Sequence, residues 1–407
     1  MTAPETSAQS ATEDLRIGVI GLGSRSALGR HAHRPGEGSR VVAVCDLDPE
    51  ALARARERYG DEVRTTTDHR DLLDGSVDAV LLVTPDDAHE NLAVDILTAG
   101  VPVYVEKPLT ITVEGCDRVL AAAREHGARL YVGHNMRHMP MVLLLRDLIL
   151  RGEIGEVKAV WCRHFVGNGG DYYFKDWHAE RARTTGLLLQ KAAHDIDVIH
   201  WLAGGYTRRV TGMGALTLYG DITDRADNRG RLMKDWFSYD NWPPLSQRGL
   251  HPVIDVEDLS MISMALDNGV LASYEQCHYT PDYWRNYTVI GTEGRIENFG
   301  DTGGKGVVRL WNKRTDYNPD GDATFPIPGS SEGHGGADAS IIAEFLRFVR
   351  VGGATATSPV AARESVATGV TATESLRNGS IPLDVPTLDP ALHDYFEAGQ
   401  QAEVTSH

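Results

Sequence analysis

Short apolar runs, rich in β-branched residues, recur through the first third of the chain, and each is followed by a stretch that reads as a helix. The apolar runs cover residues 15–20, 40–45, 77–83, 101–105 and 128–133. Helices are predicted at residues 26–34, after Pro49, at 88–99 and at 112–127. Short apolar runs of this kind are typical of parallel strands buried on both faces. Repeated strand–helix units therefore predict an α/β fold with a doubly wound parallel sheet.

Beyond residue 140 the pattern changes, because strands begin to dominate. Strands are predicted at 157–165, 210–218, 259–266, 270–275 and 287–290, and helices at 141–150, 187–203, 337–351 and 359–377. Asp267-Asn268-Gly269 between two of the strands is a strong hairpin signal. We predict a second α/β domain with a large open, mainly antiparallel sheet. The predicted organisation is a disordered leader at 1–14, a first domain at 15–135, a second at 136–382 and a tail at 383–407.

Composition narrows the class of partner. The formal charge of −17 argues against a nucleic acid or an anionic membrane as partner. No apolar run is long enough to span a membrane, and the small, polar N-terminus does not read as a secretory signal. The cysteines are scattered without paired spacing, which predicts a reducing, cytoplasmic setting without zinc or disulfides. They are Cys45, Cys116, Cys162 and Cys277.

A glycine turn follows the first predicted strand. Its sequence is Gly21-Leu22-Gly23-Ser24-Arg25-Ser26, in which a small serine stands where the third glycine of G-x-G-x-x-G would be. Gly21 permits a tight turn, and Gly23 lets the backbone approach a pyrophosphate. A strand before and a helix after provide the context that this pattern needs. The turn predicts a dinucleotide-binding domain.

Asp46, at the end of the second strand, is the candidate for recognising the ribose of the dinucleotide. An acidic residue about 20 positions beyond the glycines accepts a bond from the ribose 2′-hydroxyl and repels a 2′-phosphate. Asp46 therefore favours NAD over NADP. Two alternatives stay open at this point: Asp46 could cap the helix after Pro49, and Arg25 could accept a phosphate.

The run Val101 to Val105 ends at Glu106-Lys107-Pro108. Proline cannot extend a strand, so Glu106 and Lys107 lie at its carboxyl end, where open α/β sheets bind their ligands. Lys107 is therefore predicted to face a cleft. The alternative is a solvated Glu-Lys pair before a turn.

Together these motifs resemble the Gfo/Idh/MocA oxidoreductases. The motifs are the glycine turn, Asp46, Thr84-Pro85 with His89, Glu106-Lys107-Pro108 and the later Gly291-Thr292-Glu293-Gly294-Arg295-Ile296. The resemblance implies an N-terminal Rossmann domain and a C-terminal domain whose open sheet often makes oligomer contacts. It implies NAD(P)-dependent oxidation of a secondary hydroxyl on a sugar, glycoside, inositol or similar polyol. The cofactor contacts that it implies are Gly21, Gly23, Ser24, Arg25, Asp46, Thr84, Pro85, His89, Glu106 and Lys107.

Residues 186–197 resemble a second motif of the family, onto which His194 and Asp197 map. Helical spacing predicts that Gln190, Lys191 and His194 share one face. A histidine can take the proton that a hydroxyl loses on oxidation, and an ammonium stabilises the developing alkoxide. The sequence departs from the family at Gln190, where an aspartate is usual, and Lys191 is a candidate to compensate. The alternative for His194 is a satisfied histidine in a buried helix.

Further candidates are less specific. The predicted catalytic residues are Lys107, His194 and Lys191, and the predicted substrate contacts are Asn135, Arg137, Trp177, Gln190 and Asp195. Aromatic loops at 236–244 and 279–284 could cover a cleft or bury an interface. The histidine pairs at 31 and 33 and at 134 and 138 lack matching carboxylates or cysteines, so no metal site is predicted.

The sequence thus predicts an NAD-dependent dehydrogenase acting on a small carbohydrate or polyol, as a homo-oligomer without nucleic-acid or membrane partners. Two other functions remain open. One is a glycosidase of the same family that keeps its NAD, and the other is a non-catalytic ligand sensor. Lys107 and His194 together argue against the sensor, which needs neither.

Overall fold

The computed structural model describes residues 13–329 and 335–400, so the predicted leader lies almost entirely outside the described residues. Six parallel strands form the first sheet, in the order β3-β2-β1-β4-β5-β6. They are β1 (Leu15–Ile20), β2 (Ser39–Cys45), β3 (Arg64–Thr66), β4 (Ala79–Leu82), β5 (Val103–Val105) and β6 (Leu130–Val132). The connecting helices are α1 (Gly29–Ala32), α2 (Pro49–Tyr59), α3 (His89–Thr98) and α4 (Val113–His126). The predicted doubly wound parallel sheet is confirmed.

Strands β4, β5 and β6 begin two residues later than their apolar runs. Val77, Val101 and Ala128 are buried all the same. None of them belongs to a strand, so their apolar character reflects burial in the core of the first domain just before each strand begins. The predicted helix at 26–34 is likewise shorter, because a 3-10 helix at Ser24–Leu28 precedes α1.

The second sheet has nine strands in the order β14-β13-β12-β11-β7-β10-β9-β8-β15. The strands are β7 (Val157–Val166), β8 (Thr207–Ala215), β9 (Leu259–Leu266), β10 (Leu271–Cys277), β11 (Tyr283–Gly291), β12 (Arg295–Phe299), β13 (Val307–Trp311), β14 (Ala323–Pro326) and β15 (Leu383–Asp384). Every pairing is antiparallel except that of β7 with β10. The predicted β9–β10 hairpin around Asn268 is confirmed, as is the mainly antiparallel sheet.

Eight further helices follow α4 in the part of the chain that the structure describes. They are α5 (Pro140–Leu150), α6 (Gly169–Tyr173), α7 (Arg181–Thr184), α8 (Leu187–Gln190), α9 (Ala193–Ala203), α10 (Ala337–Val351), α11 (Pro359–Arg377) and α12 (Pro390–Glu397). The bounds predicted for α10 and α11 are confirmed. In α11, proline occupies the first turn and the side chain of Ser358 accepts a bond from the main chain as N-cap.

Helices α10, α11 and α12, near the end of the chain, pack on the first domain. The predicted first domain, residues 15–135, did not include them. Successive residues of a strand point to opposite faces, so Tyr104 and Tyr131 form the face of β5 and β6 that α10 covers with Phe345. On the other face, α12 packs through Leu392 and Phe396. Helix α11 contributes to the cores on both sides of the domain boundary. The expectation of a loose tail after residue 382 is wrong, because β15 pairs with β8 and α12 is packed.

Two chemical features of the described residues bear on the class of protein. The four cysteines carry no disulfide. Within residues 13–329 and 335–400, no helix has both the length and the apolar character needed to cross a membrane.

Candidate active site

The glycine turn after β1 has the shape that a dinucleotide pyrophosphate requires. Gly21 has a φ of +91°, and a Cβ on it would lie 2.8 Å from the main-chain nitrogen of Thr84 and from the carbonyl of Val83. A Cβ on Gly23 would meet nothing within 4 Å, so the space above that residue is open. Gly21 is thus required by the protein's own packing, whereas Gly23 leaves room for a ligand to reach the backbone. The turn fits a dinucleotide.

Asp46 is held against this turn. Its Oδ2 accepts a bond from the main-chain nitrogen of Leu22 at 2.6 Å, and its Oδ1 accepts one from that of Asp48 at 2.9 Å. The alternative in which Asp46 caps α2 is wrong, because Asp48 is the cap and accepts from the nitrogen of Glu50 at 2.9 Å. Asp46 therefore lies where an acidic residue meets an adenosine ribose.

Arg25 points to the other side of β1. Its Nε donates to Glu106 Oε1 at 2.5 Å, and its terminal nitrogens donate to the two carboxylate oxygens of Asp338 at 3.0 and 3.2 Å. Because β1 and β4 separate β2 from β5, the strand ends that carry Asp46 and Glu106 lie about 14 Å apart. Burial opposes the charge of Arg25, but Glu106 raises the pKa of the guanidinium above its usual value. Arg25 is engaged by carboxylates away from the ribose side.

Lys107 projects from the end of β5 into the second domain, and its Nζ donates to the main-chain oxygen of Gln190 at 2.9 Å. Burial, with Lys191 nearby, lowers the pKa of Lys107 to about 8, although Asp86 favours the charged form. Burial also raises the pKa of Asp86 to about 6. The alternative of a solvated Glu-Lys pair is wrong, because Glu106 is buried and Lys107 is bonded across the domain boundary.

The predicted helix at 187–203 is interrupted where the catalytic candidates lie. Helix α8 ends at Gln190, Lys191 and Ala192 form a turn, and α9 begins at the next residue. The main-chain nitrogens of Lys191 and Ala192 both bond to the oxygen of Leu187, at 3.1 and 3.0 Å. Such a widened turn shifts the residues after it relative to those before it. The prediction of one continuous helical face is therefore wrong.

Gln190 contributes to the site through its main chain. Its carbonyl holds Lys107, while its side-chain Oε1 is buried without a hydrogen-bond partner among the described residues. The amide replaces the usual carboxylate of the family, so no negative charge accompanies His194 here. A buried, unpaired acceptor at this point is consistent with a ligand or water as its partner.

His194, at the start of α9, faces His134, with ring centres 6.2 Å apart and planes nearly perpendicular. Its Nδ1 is buried and, within the described residues, has no hydrogen-bond partner, so its catalytic role stays a prediction beside the alternative of a core histidine. Burial lowers the pKa of His194 well below its usual value, and the cation of Lys107 adds to the effect. The imidazole is therefore neutral near pH 7 and offers a lone pair to a proton.

Lys191 turns towards the second sheet. Its Nζ donates to the hydroxyl of Tyr283 at 3.1 Å and lies 5.3 and 5.5 Å from the ring centres of Tyr173 and Tyr283. Burial opposes ionisation of Tyr283, but Arg285 and Lys191 lower the pKa of its hydroxyl. Lys191 therefore interacts directly with these two tyrosines, whereas the sequence predicted an interaction with a substrate hydroxyl.

Asp195 lies beneath the site and is fully buried, so the prediction that it contacts substrate is wrong. Its carboxylate accepts bonds from Arg285 Nε at 3.0 Å, from His164 Nδ1 at 2.9 Å and from Tyr274 at 3.1 Å, with a further bond from Tyr287. Burial disfavours the carboxylate, but Arg285 and these bonds hold the pKa of Asp195 well below its usual value. Asp195 anchors α9 to the second sheet.

Arg137 is also structural, contrary to its prediction as a substrate contact. Its guanidinium forms two bonds with the carboxylate of Asp197, at 2.8 and 2.7 Å, and donates to the oxygen of Ala356 at 2.9 Å. Both partners of the ion pair are nearly inaccessible. The pair joins the end of the first domain to α9, and a planar fork suits this bidentate geometry.

The remaining predicted contacts have mixed outcomes. Asn135 donates to Asp338 at 2.9 Å and leaves its Oδ1 buried without a partner among the described residues. Trp177 is half-buried and stacks on His178 at 3.7 Å. His89 is fully buried, with its nitrogens 2.8 and 3.0 Å from the main-chain oxygens of Pro108 and Thr84, so it joins two loops and cannot contact a cofactor. Substrate contact by Asn135 and Trp177 stays a prediction.

A long connection, residues 216–258, joins β8 to β9. Leu232, Met233 and Lys234 at its tip share a cavity of about 320 Å³ with the glycine turn and with helices α1 and α2. Further along, Phe237 contacts Tyr172 with ring centres 6.0 Å apart. The first aromatic loop thus packs on α6, and whether it covers a cleft stays a prediction.

Several residues of the site were missed by sequence reasoning. They are Asp86, His134, Tyr173, Tyr283 and Arg285. Asp86 and His134 lie four and two residues beyond the ends of β4 and β6, so their position in the sequence could have identified them. Tyr283 and Arg285 come from β11 and Tyr173 from α6, and only the tertiary structure brings them to Lys191. Residues 13–329 and 335–400 contain no group of three or more His, Cys, Asp and Glu side chains arranged to hold a metal ion.

Comparison with known proteins identifies chains of similar sequence. The YteT protein of Bacillus subtilis is 25% identical over 349 residues, which are 75% of this chain and 82% of that protein. An inositol 2-dehydrogenase of Burkholderia multivorans is 36% identical over 196 residues, 47% of this chain and 55% of the relative, so this match spans about half of each.

Solved structures share the fold. Levoglucosan dehydrogenase in complex with NADH and levoglucosan aligns with a TM-score of 0.73 and 21% identity, over 92% of this chain and 100% of that chain. GenD2 from gentamicin A biosynthesis in complex with NAD aligns with a TM-score of 0.71 and 20% identity, over 95% of this chain and 100% of that chain.

Two family models cover most of the sequence. The oxidoreductase family model with an NAD-binding Rossmann fold matches residues 15–134, and its C-terminal alpha/beta domain matches residues 146–385. The chain therefore belongs to the Gfo/Idh/MocA family of oxidoreductases.

Proposed function

We propose that this oxidoreductase is an NAD-dependent dehydrogenase, acting in the cytoplasm, that oxidises a secondary ring hydroxyl of a sugar, glycoside or inositol-like polyol. One observation carries the proposal. The ammonium of Lys107, from the first domain, bonds to the main-chain oxygen of Gln190 in the second domain, and its charge contributes to the low pKa of His194. The names of relatives agree, since an inositol 2-dehydrogenase and a levoglucosan dehydrogenase are among them.

The chain's own residues supply the acid–base chemistry. When bound, NAD supplies the hydride acceptor. Lys107 binds the substrate hydroxyl and stabilises the negative charge that develops on its oxygen. His194, neutral and with an unpaired nitrogen, takes the proton. Gly21, Gly23, Ser24 and Asp46 hold the dinucleotide, with Thr84 and Pro85 at the neighbouring strand end.

The test is a panel of sugars, glycosides and inositols screened for NADH formation with added NAD. We expect steady turnover with at least one of them. A protein that binds these compounds without turnover would be the sensor, and the dehydrogenase proposal would fail.

A second function is favoured by one observation. Residues 232–234 share a cavity with the glycine turn, which would slow the loss of a bound dinucleotide. A glycosidase that keeps its NAD would use such a cover. Purified protein that carries NAD through gel filtration and cleaves a glycoside without net NADH formation would support this alternative.

Cofactor preference is expected to depend on Asp46. Wild-type protein should have a higher kcat/KM with NAD than with NADP. Asp46→Ala should lower the NAD-to-NADP ratio of kcat/KM by roughly 10-fold or more, because a like charge facing the 2′-phosphate costs several kcal/mol. Steady-state kinetics with both cofactors measure this ratio.

Asp48→Ala is the matched control for that measurement. It removes the cap of α2, at a cost of about 1 kcal/mol in stability, and should leave the cofactor ratio unchanged. A wild-type preference for NADP would show that the argument from Asp46 is wrong.

The outer face of the second sheet is expected to form a homo-oligomer. Trp161, Met213, Met261 and Leu271 alternate with core residues and are 51%, 57%, 44% and 61% exposed on neighbouring strands. Serine and threonine positions lie between them on this face, and several large apolar side chains exposed on an open sheet are typical of an interface. Light scattering should show an oligomer for wild type and a monomer for Trp161→Glu combined with Met261→Glu.

Leu150→Glu provides the control for the interface variants. Leu150 is 69% exposed at the end of α5, away from the sheet, and its substitution should not change the mass. A wild-type monomer at micromolar concentration would contradict the prediction.

A further inference from the structure

The ammonium of Lys191 is buried without a counter-charge. Lys191 is only 6% exposed. Its Nζ bonds to the hydroxyl of Tyr283 and lies over the ring of Tyr173. No Asp or Glu oxygen lies within 4.0 Å of this nitrogen in the part of the chain that the structure describes. A buried charge in this state is costly, and the two rings offset part of the cost.

Among the described residues, the other cations as inaccessible as Lys191 are paired with carboxylates, whereas the partly exposed Lys107 bonds to a main-chain oxygen. Arg285 is paired with Asp195, Arg137 with Asp197 and Lys175 with Asp171. Lys191 departs from this pattern in a chain with 57 acidic and 40 basic residues, where carboxylates are abundant. A shortage of acidic residues therefore does not explain why Lys191 lacks a carboxylate partner.

The surroundings of Lys191 favour negative charge. The positive charge of Arg285 acts on Lys191, and the charges of Lys191 and Lys107 act on each other. The same potential lowers the pKa of Tyr283. Tyr283 is 41% exposed, and its hydroxyl contacts the ammonium. A ligand group placed there meets one ammonium and the hydroxyl of Tyr283, with that of Tyr173 beside it.

We propose that Lys191, with the hydroxyls of Tyr173 and Tyr283, binds the carboxylate of an acidic sugar. The substrate of the proposed dehydrogenase is then a uronic acid or a uronate glycoside. This inference rests on the proposed function for the location of the cleft. It gives Lys191 a substrate-binding role in place of the catalytic role that the sequence predicts.

The position of Lys191 suits such a role. Its neighbour in sequence, Gln190, holds Lys107 through its main-chain oxygen, and the two ammonium groups are close enough to affect each other's charge. Lys107 binds the hydroxyl to be oxidised. Lys191 binds a carboxylate elsewhere on the same ring, and the charge-assisted bond between Lys191 and this carboxylate fixes the orientation of the sugar.

The test compares glucuronate with its methyl ester, which has the same ring but no charge. We expect kcat/KM for glucuronate to exceed that for the ester by roughly 10- to 100-fold, as is typical for hydrogen bonds to charged groups. Lys191→Met should reduce this ratio to about one, whatever its effect on the absolute rates, and Lys191→Arg should retain most of it. Lys158→Met, on an exposed strand position, should leave the ratio as in wild type.

Three results would overturn the inference. They are equal kcat/KM values for acid and ester in wild type, an unchanged ratio in Lys191→Met, and a preference for glucose 6-phosphate over glucuronate, which would identify a phosphate site.

Binding of glucuronate and its ester to the enzyme with NADH, measured by calorimetry, separates this inference from the proposed function. Binding of the acid that depends on Lys191, without turnover of any sugar, would support the subsite and reject the dehydrogenase. Turnover of neutral sugars with no binding preference for the acid would do the reverse.

Discussion

His194→Ala is expected to lower kcat by about 10²–10⁴, the range typical of a lost general base, with little change in NAD affinity. Lys107→Ala should be as damaging or more so, because it removes the charge that stabilises the alkoxide. Neither side chain belongs to the glycine turn, so fluorescence titration with NADH should show nearly unchanged binding. The double variant should lose far less than the product of the single losses, since groups acting on one transition state are not additive.

The pH profile identifies which of the two residues takes the proton. With His194 as base and Lys107 as a cation, kcat should fall as pH rises through about 8, where Lys107 loses its charge. A kcat that rises through the same range would assign the base to Lys107. Near-wild-type turnover in His194→Ala would remove His194 from the mechanism. Gln190→Asp should supply the missing carboxylate and shift the pH optimum.

Arg137→Met is expected to lower the free energy of unfolding by about 3–5 kcal/mol, because it leaves the buried carboxylate of Asp197 unpaired. Denaturant unfolding monitored by tryptophan fluorescence measures this loss. Arg137→Met combined with Asp197→Leu should recover much of it, since no uncompensated charge remains.

Arg16→Met is the control for this prediction. Arg16 pairs with Asp78 at 2.7 Å, but these side chains are 41% and 32% exposed, so its removal should cost about 0–1 kcal/mol. If Arg137→Met raised KM for the substrate without lowering stability, Arg137 would be a substrate contact and the structural assignment would be wrong.

Local pattern was sufficient for much of the architecture. Apolar runs and their spacing predicted the parallel sheet, and caps with a proline in the first turn predicted α11 to the residue. The glycine turn and the end of β5 were placed correctly because ligand-binding residues follow strand ends in such sheets. These features depend on neighbours in sequence, which a single chain displays.

The tertiary structure decided which polar residues are available to a ligand. Asp195 and Arg137 look like site residues in sequence, yet their partners are 90 and 60 positions away and bury them. The widened turn at Lys191 breaks a helical pattern that is continuous in sequence, and it directs the ammonium to Tyr283, 92 positions away. Helices α10 and α12 return to the first domain because its sheet has two faces to cover. Periodicity reports that a residue is buried or charged, whereas long-range pairing decides what it is buried against.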